Sequence, residues 1–190
     1  MIPRNDRAPG AGHAGGQSDQ QASGSLSILA SGGDTAAQLI GVVLRCATPA
    51  EANPILYAVP AEAFEHPLDQ GIWRAAQVVA AAGECDPVRV VQTVVAAGLW
   101  PRDLHHEVTV RMVDAIIQSR FDTHEWQTPA ADVLTAYARR TAASRLALVA
   151  NDLGSARPQQ LGRDLLATAA LLEAVAAGIE HIQHSQVGAA

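Results

Sequence analysis

The chain contains no lysine; every one of its 13 basic residues is arginine. Without lysine there is no G-x-x-x-x-G-K-[ST] loop, because the ammonium that reaches the β- and γ-phosphates is missing. The sequence therefore carries no phosphate-gripping motor loop, and the protein is expected not to be an enzyme. Lysine's absence together with an excess of alanine fits the codon usage of a GC-rich genome better than a chemical requirement. Aromatic residues make up only 4% of the chain. Trp73, Trp100 and Trp126 are scattered, whereas a base-stacking platform needs aromatics gathered on one basic groove. Positive charge is also short. A net charge of −6 opposes a general nucleic-acid surface, which works by counterion release onto clustered cations, so no direct nucleic-acid contact is expected.

Cysteine is nearly as rare. Cys46 and Cys85 stand in unrelated local contexts and form neither a C-x-x-C nor a Cys/His zinc spacing, so free thiols in a reducing compartment are expected. The N-terminal stretch lacks the apolar core of a signal peptide, and no run of consecutive apolar residues looks long enough to span a bilayer. These absences point to a cytoplasmic protein with no membrane partner. What is abundant is alanine, the strongest helix former and a poor strand former, within a chain that is 48% hydrophobic.

The spacing of apolar residues predicts an all-α fold in four stretches. Residues 1–33, rich in Gly, Ser and Gln, bury too little to offset their ordering entropy and are expected to be disordered. Residues 34–120 are expected to form a compact multi-helix head. Its first helix would run from Asp34 or Thr35 to about Ala47 with Ala36, Leu39, Ile40 and Val43 on one buried face. Thr48-Pro49-Ala50-Glu51 reads as a capping box opening a second helix, kinked by Pro54. One helical turn near Pro60–Ala63 would deliver Phe64 to the core. A third helix would open at Pro67 and stop at Gly83. Asp86-Pro87 would cap a fourth, with Val88, Val91 and Val95 inward and Gly98 just past its end. The fifth, Pro101 to about Ser119, would turn Leu104, Val108, Met112 and Ala115 inward and leave Arg102, Asp103, Glu107 and Arg111 solvated.

Residues 128–180 are expected to form an antiparallel two-helix hairpin, because only a short connection around Gly154 separates two long apolar stripes. One stripe is Leu134, Ala138, Ala142, Leu146, Val149 and Leu153. The other is Leu161, Leu165, Leu172, Val175 and Ile179. Residues 181–190 are expected to be a disordered C-terminus.

Four segments in this order carry a resemblance to a known family. Ala37–Leu44 is similar to a glutamine-x-x-leucine-glycine-x-leucine stretch. Val59–Phe64, His66-Pro67 and Ile72–Ala75 are similar to an "aspartate-phenylalanine, histidine or proline, isoleucine-phenylalanine-x-alanine" signature. Gly83–Val88 is similar to a glycine-x-x-aspartate-x-valine helix start. Val133–Ala138, followed by Arg139, Arg140 and Arg145, is similar to a tyrosine-bearing hairpin start. Together these segments resemble the N-terminal collar domain of DnaB-type bacterial replicative helicases, over about Asp34 to Gly178. The corner Trp100–His106 departs from the glycine-glycine and tyrosine-leucine element usual there. The resemblance implies a head and hairpin that pair with a neighbouring subunit and offer a docking surface to primase or loader proteins.

From this follow the expected partners, namely a replicative helicase, its primase or its loader, and a second copy of the chain in a homodimer. Leu148, Leu166 and Leu171 fall off the two hairpin stripes and would face outward. With Tyr137, Arg140 and Arg145 they form the expected interface. An arm folded back on its own head would instead bury those leucines. No cofactor or metal is expected: His105-His106-Glu107 and the group Glu180, His181 and His184 lack a full ligand set, and Asp86 suits a cap better than catalysis. None of Ser25, Ser27 and Ser31 sits in a G-x-S-x-G elbow. Two other readings stand beside the collar. One is a helical small-molecule-binding or catalytic protein, marked by a pocket of converging polar groups, for example near His105 and His106. The other is a remnant of a split helicase gene.

Overall fold

The computed structural model describes residues 35–98, 105–152 and 157–187. Among these the fold is all-α: α1 (Thr35–Leu44), α2 (Pro49–Ala58), a 3-10 turn (Ala61–Ala63), α3 (Pro67–Ala81), α4 (Pro87–Ala96), α5 (His105–Gln118), α6 (Gln127–Asp152) and α7 (Pro158–Val187), with no strand among the described residues. The readings made for residues 1–34, Trp100, Pro101, Arg102, Asp103, Leu104, Leu153 and Gly154 lie outside the described residues.

Local chemistry accounts for three of the helix starts. Thr48 Oγ1 accepts from the Glu51 N–H, as the expected cap requires, while the Glu51 carboxylate accepts at 2.9 Å from the Ala47 N–H, one residue before the N–H that a capping box uses. The His66 imidazole accepts from the Leu68 N–H to open α3, and the Asp86 carboxylate accepts from the Val88 N–H at 2.8 Å to open α4. Gly83 and Gly98, at φ +84 and +63, close α3 and α4 in the left-handed region that side-chain-bearing residues avoid. The carbonyls at the end of α2, which have no partner within their own helix, accept from α3 side chains: Gln77 donates to Leu56 O and the Trp73 indole to Val59 O.

α1 corrects the expectation of a single buried face. Every residue from Ala36 to Leu44 is buried, as expected of a helix apolar all round at the centre of a core. It stops at Leu44, short of Ala47, because the backbone N–H of Ala47 is already committed to the cap of α2. Around α1 the core gathers Ile55, Leu56, Phe64, Ile72, Trp73, Val108 and Met112, with the Phe64 and Trp73 rings 4.8 Å apart.

A polar network then ties α1 to the end of α5. Ser119 Oγ donates to Gln38 O, the Arg120 N–H donates to the Gln38 side chain, and the Arg45 guanidinium donates to Gly41 O, Ser119 Oγ and Phe121 O.

On α4 the inward residues are Val90 and Val94, not Val88, Val91 and Val95; Val88 is 59% exposed and Val91 and Val95 are half-buried. Both sets have helical spacing, so the choice was left to the packing of α4 against α3. On α5, Val108, Met112 and Ala115 face inward as expected. Arg111 does not stay in solvent. It forms a two-pronged ion pair, both contacts 2.8 Å, with Asp69, which is buried in the first turn of α3.

α6 and α7 pack against each other along their length as an antiparallel hairpin. Ile182, late in α7, joins the same core as Ala130, Val133 and Leu134, early in α6. This carries helix through Val187, past the expected end at Glu180, because burial of Ile182 against the head fixes the last turns. The stretch Pro158–His184 is long and apolar enough, by length and composition, to cross a membrane, and little of it is buried. Arg163, Asp164 and Glu173 interrupt it, so no unbroken apolar run marks it in the sequence.

Candidate functional site

The six expected interface residues separate into two groups. Tyr137 and Arg140 sit at the root of the hairpin: Tyr137 packs against the core, and the Arg140 guanidinium donates to Ala63 O at 2.6 Å and lies 4.0 Å from the Glu65 carboxylate. Arg140 thus braces α6 against the 3-10 turn instead of standing ready for a partner. Arg145, Leu148 and Leu166 lie further along the arm. Leu148 and Leu166 are 63% and 72% exposed, while Leu171 is half-buried.

Two further leucines belong with them. Leu146 and Leu165, assigned by spacing to the inward stripes, are exposed as well. The helices are paired here, yet alanine supplies much of the arm's surface, so the contact between them is too thin to cover both leucine rows. Arg145, Leu148 and Val149 of α6 and Asp164 and Thr168 of α7 line a groove of about 380 Å³. Thr168 is buried and donates to Asp164 O within its own helix, so it adds no free donor to the groove. The arm therefore exposes Leu146, Leu148, Leu165 and Leu166 to solvent among alanines and the charged side chains of Arg139, Arg145, Arg163, Asp164 and Glu173.

A second concavity, about 320 Å³, opens where the hairpin root meets the head. Its walls come from the start of α1 (Thr35, Ala36), the segment leading into α3 (Ala63 to Pro67), and α6 (Asp132, Val133, Ala136, Arg140). His106 is exposed and His105 half-buried on α5, and neither lines the arm groove or the hairpin-root concavity. Nothing in the sequence marks the α1–α6 pocket, because its walls come from three segments distant in the chain.

No group of three or more His, Cys, Asp or Glu side chains is placed to hold a metal among the described residues. Cys46 and Cys85, unrelated in sequence, come close enough to influence each other. Burial first, and then the negative neighbours Cys85 and Glu51, push the Cys46 thiol up to about 12, and burial followed by Glu51 raises Cys85. Both thiols are thereby less nucleophilic than a free cysteine. Trp73 is core, Trp126 packs on the core, and Arg139 is exposed.

What the fold and its surfaces define is a class: a helical head bearing a helical hairpin that exposes several leucines. Compared with known proteins, the chain matches no family model, no curated protein and no solved structure.

Proposed function

We propose that this chain is a non-enzymatic protein-binding module that acts in DNA replication as a helicase collar does, by binding a replicative helicase, its primase or its loader. The observation that carries the reading is the exposure of Leu146, Leu148, Leu165 and Leu166 on a hairpin rooted in a well-packed head. Each large apolar side chain taken out of water stabilises the contact that covers it. The four segments resembling the helicase collar supply the kind of partner, and a second copy meeting the arm about a two-fold axis would cover the same leucines on both chains.

Mixing the purified chain with the replicative helicase, primase and loader of its host, and weighing the mixtures by size-exclusion light scattering, tests the reading. A complex with one of the three is expected. Independent elution from all three overturns the proposal. The pocket at the hairpin root favours a second reading, a small-molecule-binding helical protein, to which the following inference belongs.

A further inference from the structure

The pocket between α1, the approach to α3, and α6 combines apolar walls with an excess of carboxylate. Ala36, Phe64, Val133 and Ala136 supply walls with no polar side-chain atom. Glu65, Asp69 and Asp132 supply three carboxylates. Two guanidiniums answer them. Arg111 is fully engaged by Asp69, and Arg140 stands 4.0 Å from Glu65 while donating to Ala63 O. Asp132 has neither a hydrogen-bond nor an ion-pair partner among the described residues. Asp132 is exposed and the Glu65 side chain largely so, and the pocket thus combines an apolar interior, with His66 and Arg140 in its walls, and two solvent-facing carboxylates at its mouth. At about 320 Å³ it lies at the small end of ligand pockets, which run from about 300 to 1,000 Å³.

We propose that this pocket binds a primary alkylammonium group, the aliphatic stem against Ala36, Phe64, Val133 and Ala136 and the ammonium between the carboxylates of Asp132 and Glu65. An anion of the same size would face three carboxylates with Arg140 already committed to Ala63 O and Glu65, and a neutral alkane would gain nothing from the carboxylates at the mouth. The sequence has no lysine, so no side chain of this protein or of a second copy carries an ammonium. The group can come from a free alkylamine or from a lysine on another polypeptide. The proposal does not depend on the collar reading and survives its failure.

The test is titration of the full chain, isotopically labelled at Ala and Val methyls, with n-butylamine, and separately with butyrate and n-butanol at matched concentrations and pH. The expected result is saturable shifts confined to Ala36, Ala63, Val133 and Ala136 with the amine, and markedly weaker effects with the other two. Asp132→Asn combined with Glu65→Gln is expected to weaken the amine about fivefold, the scale of losing exposed, solvent-screened ion pairs. Ala136→Leu, with an unchanged circular dichroism spectrum, is expected to abolish the shifts by filling the space. A lysine-containing tripeptide with blocked ends separates the sources: binding tighter than butylamine assigns the group to a polypeptide, and weaker binding assigns it to a free amine. Equal binding of butyrate, shifts spread over the whole chain, or undiminished amine binding by the doubly neutralised variant overturns the proposal.

Discussion

Asp69 is 3% exposed, and an ionised carboxylate at that depth persists only because Arg111 lays two N–H donors along it. The hydrogen bond to Asp69 in turn holds the Arg111 guanidinium above its ordinary range. Removing one partner strands the other. Arg111→Met is therefore expected to cost about 3–5 kcal/mol in urea denaturation, and Asp69→Asn added to it should recover much of the loss, since no charge is then left buried. A loss under about 1 kcal/mol for the single variant would show that Asp69 is solvated in another way. Cys46 gives a pH-dependent counterpart. Its thiol is pushed up from an ordinary 9.0 to about 12, so the unfolded chain ionises first as pH rises. The stability tied to the neutral thiol is complete below pH 9.0 and is lost progressively as the pH climbs toward 12. Wild type and Cys46→Ala, unfolded in urea across that window, should converge as the pH rises; a constant gap between them would contradict the assignment.

At the level of elements, one crossing holds the head together. α1 meets α5 so closely that a Cβ on Gly41 would lie 2.1 Å from Ala115 O and 2.6 Å from Ser119 Cβ. Backbone cannot yield as a flexible side-chain tip can, so the two helices must separate to admit a methyl. Separation would also pull apart the Gln38, Ser119 and Arg45 hydrogen bonds beside the contact. Gly41→Ala is expected to destabilise the fold by about 3 kcal/mol or more, at or beyond the upper end of overpacking effects, despite alanine's higher helix propensity. Thermal unfolding at or above the wild-type midpoint would mean that the helices can slide apart freely. Elsewhere in the head, the caps at Thr48, His66 and Asp86 set where helices begin without deciding which side turns inward, as the valines of α4 show.

For the whole molecule, the question is what covers the arm. The hairpin does not fold back to bury its outer leucines: Leu148 and Leu166 remain exposed, and its contact with the head is confined to the root around Ala130, Val133, Leu134, Tyr137 and Ile182. Under the proposed dimer, Leu148→Glu together with Leu166→Glu should yield a folded monomer in light scattering with an unchanged helical spectrum. Because both side chains stand in solvent within one chain, a loss of folding is not expected. A wild-type chain that is already monomeric at the same concentration would remove the second copy as the cover.

The sequence by itself determined the helical class and the ends of α2, α3 and α4 that rest on neighbours in the chain: Thr48 with Glu51, Asp86 with Val88, and the left-handed glycines 83 and 98. It also determined that two long helices close the chain on one another, since a short connection leaves an apolar pair no other choice. Tertiary structure alone decided which of two equally spaced valine sets on α4 is buried, that Arg111 leaves solvent for Asp69, that the two cysteines meet, and that a pocket opens beside Asp132. Each of these joins residues far apart in the chain. A helical repeat fixes which side chains share a face, but only the neighbouring helix determines which face is turned toward it.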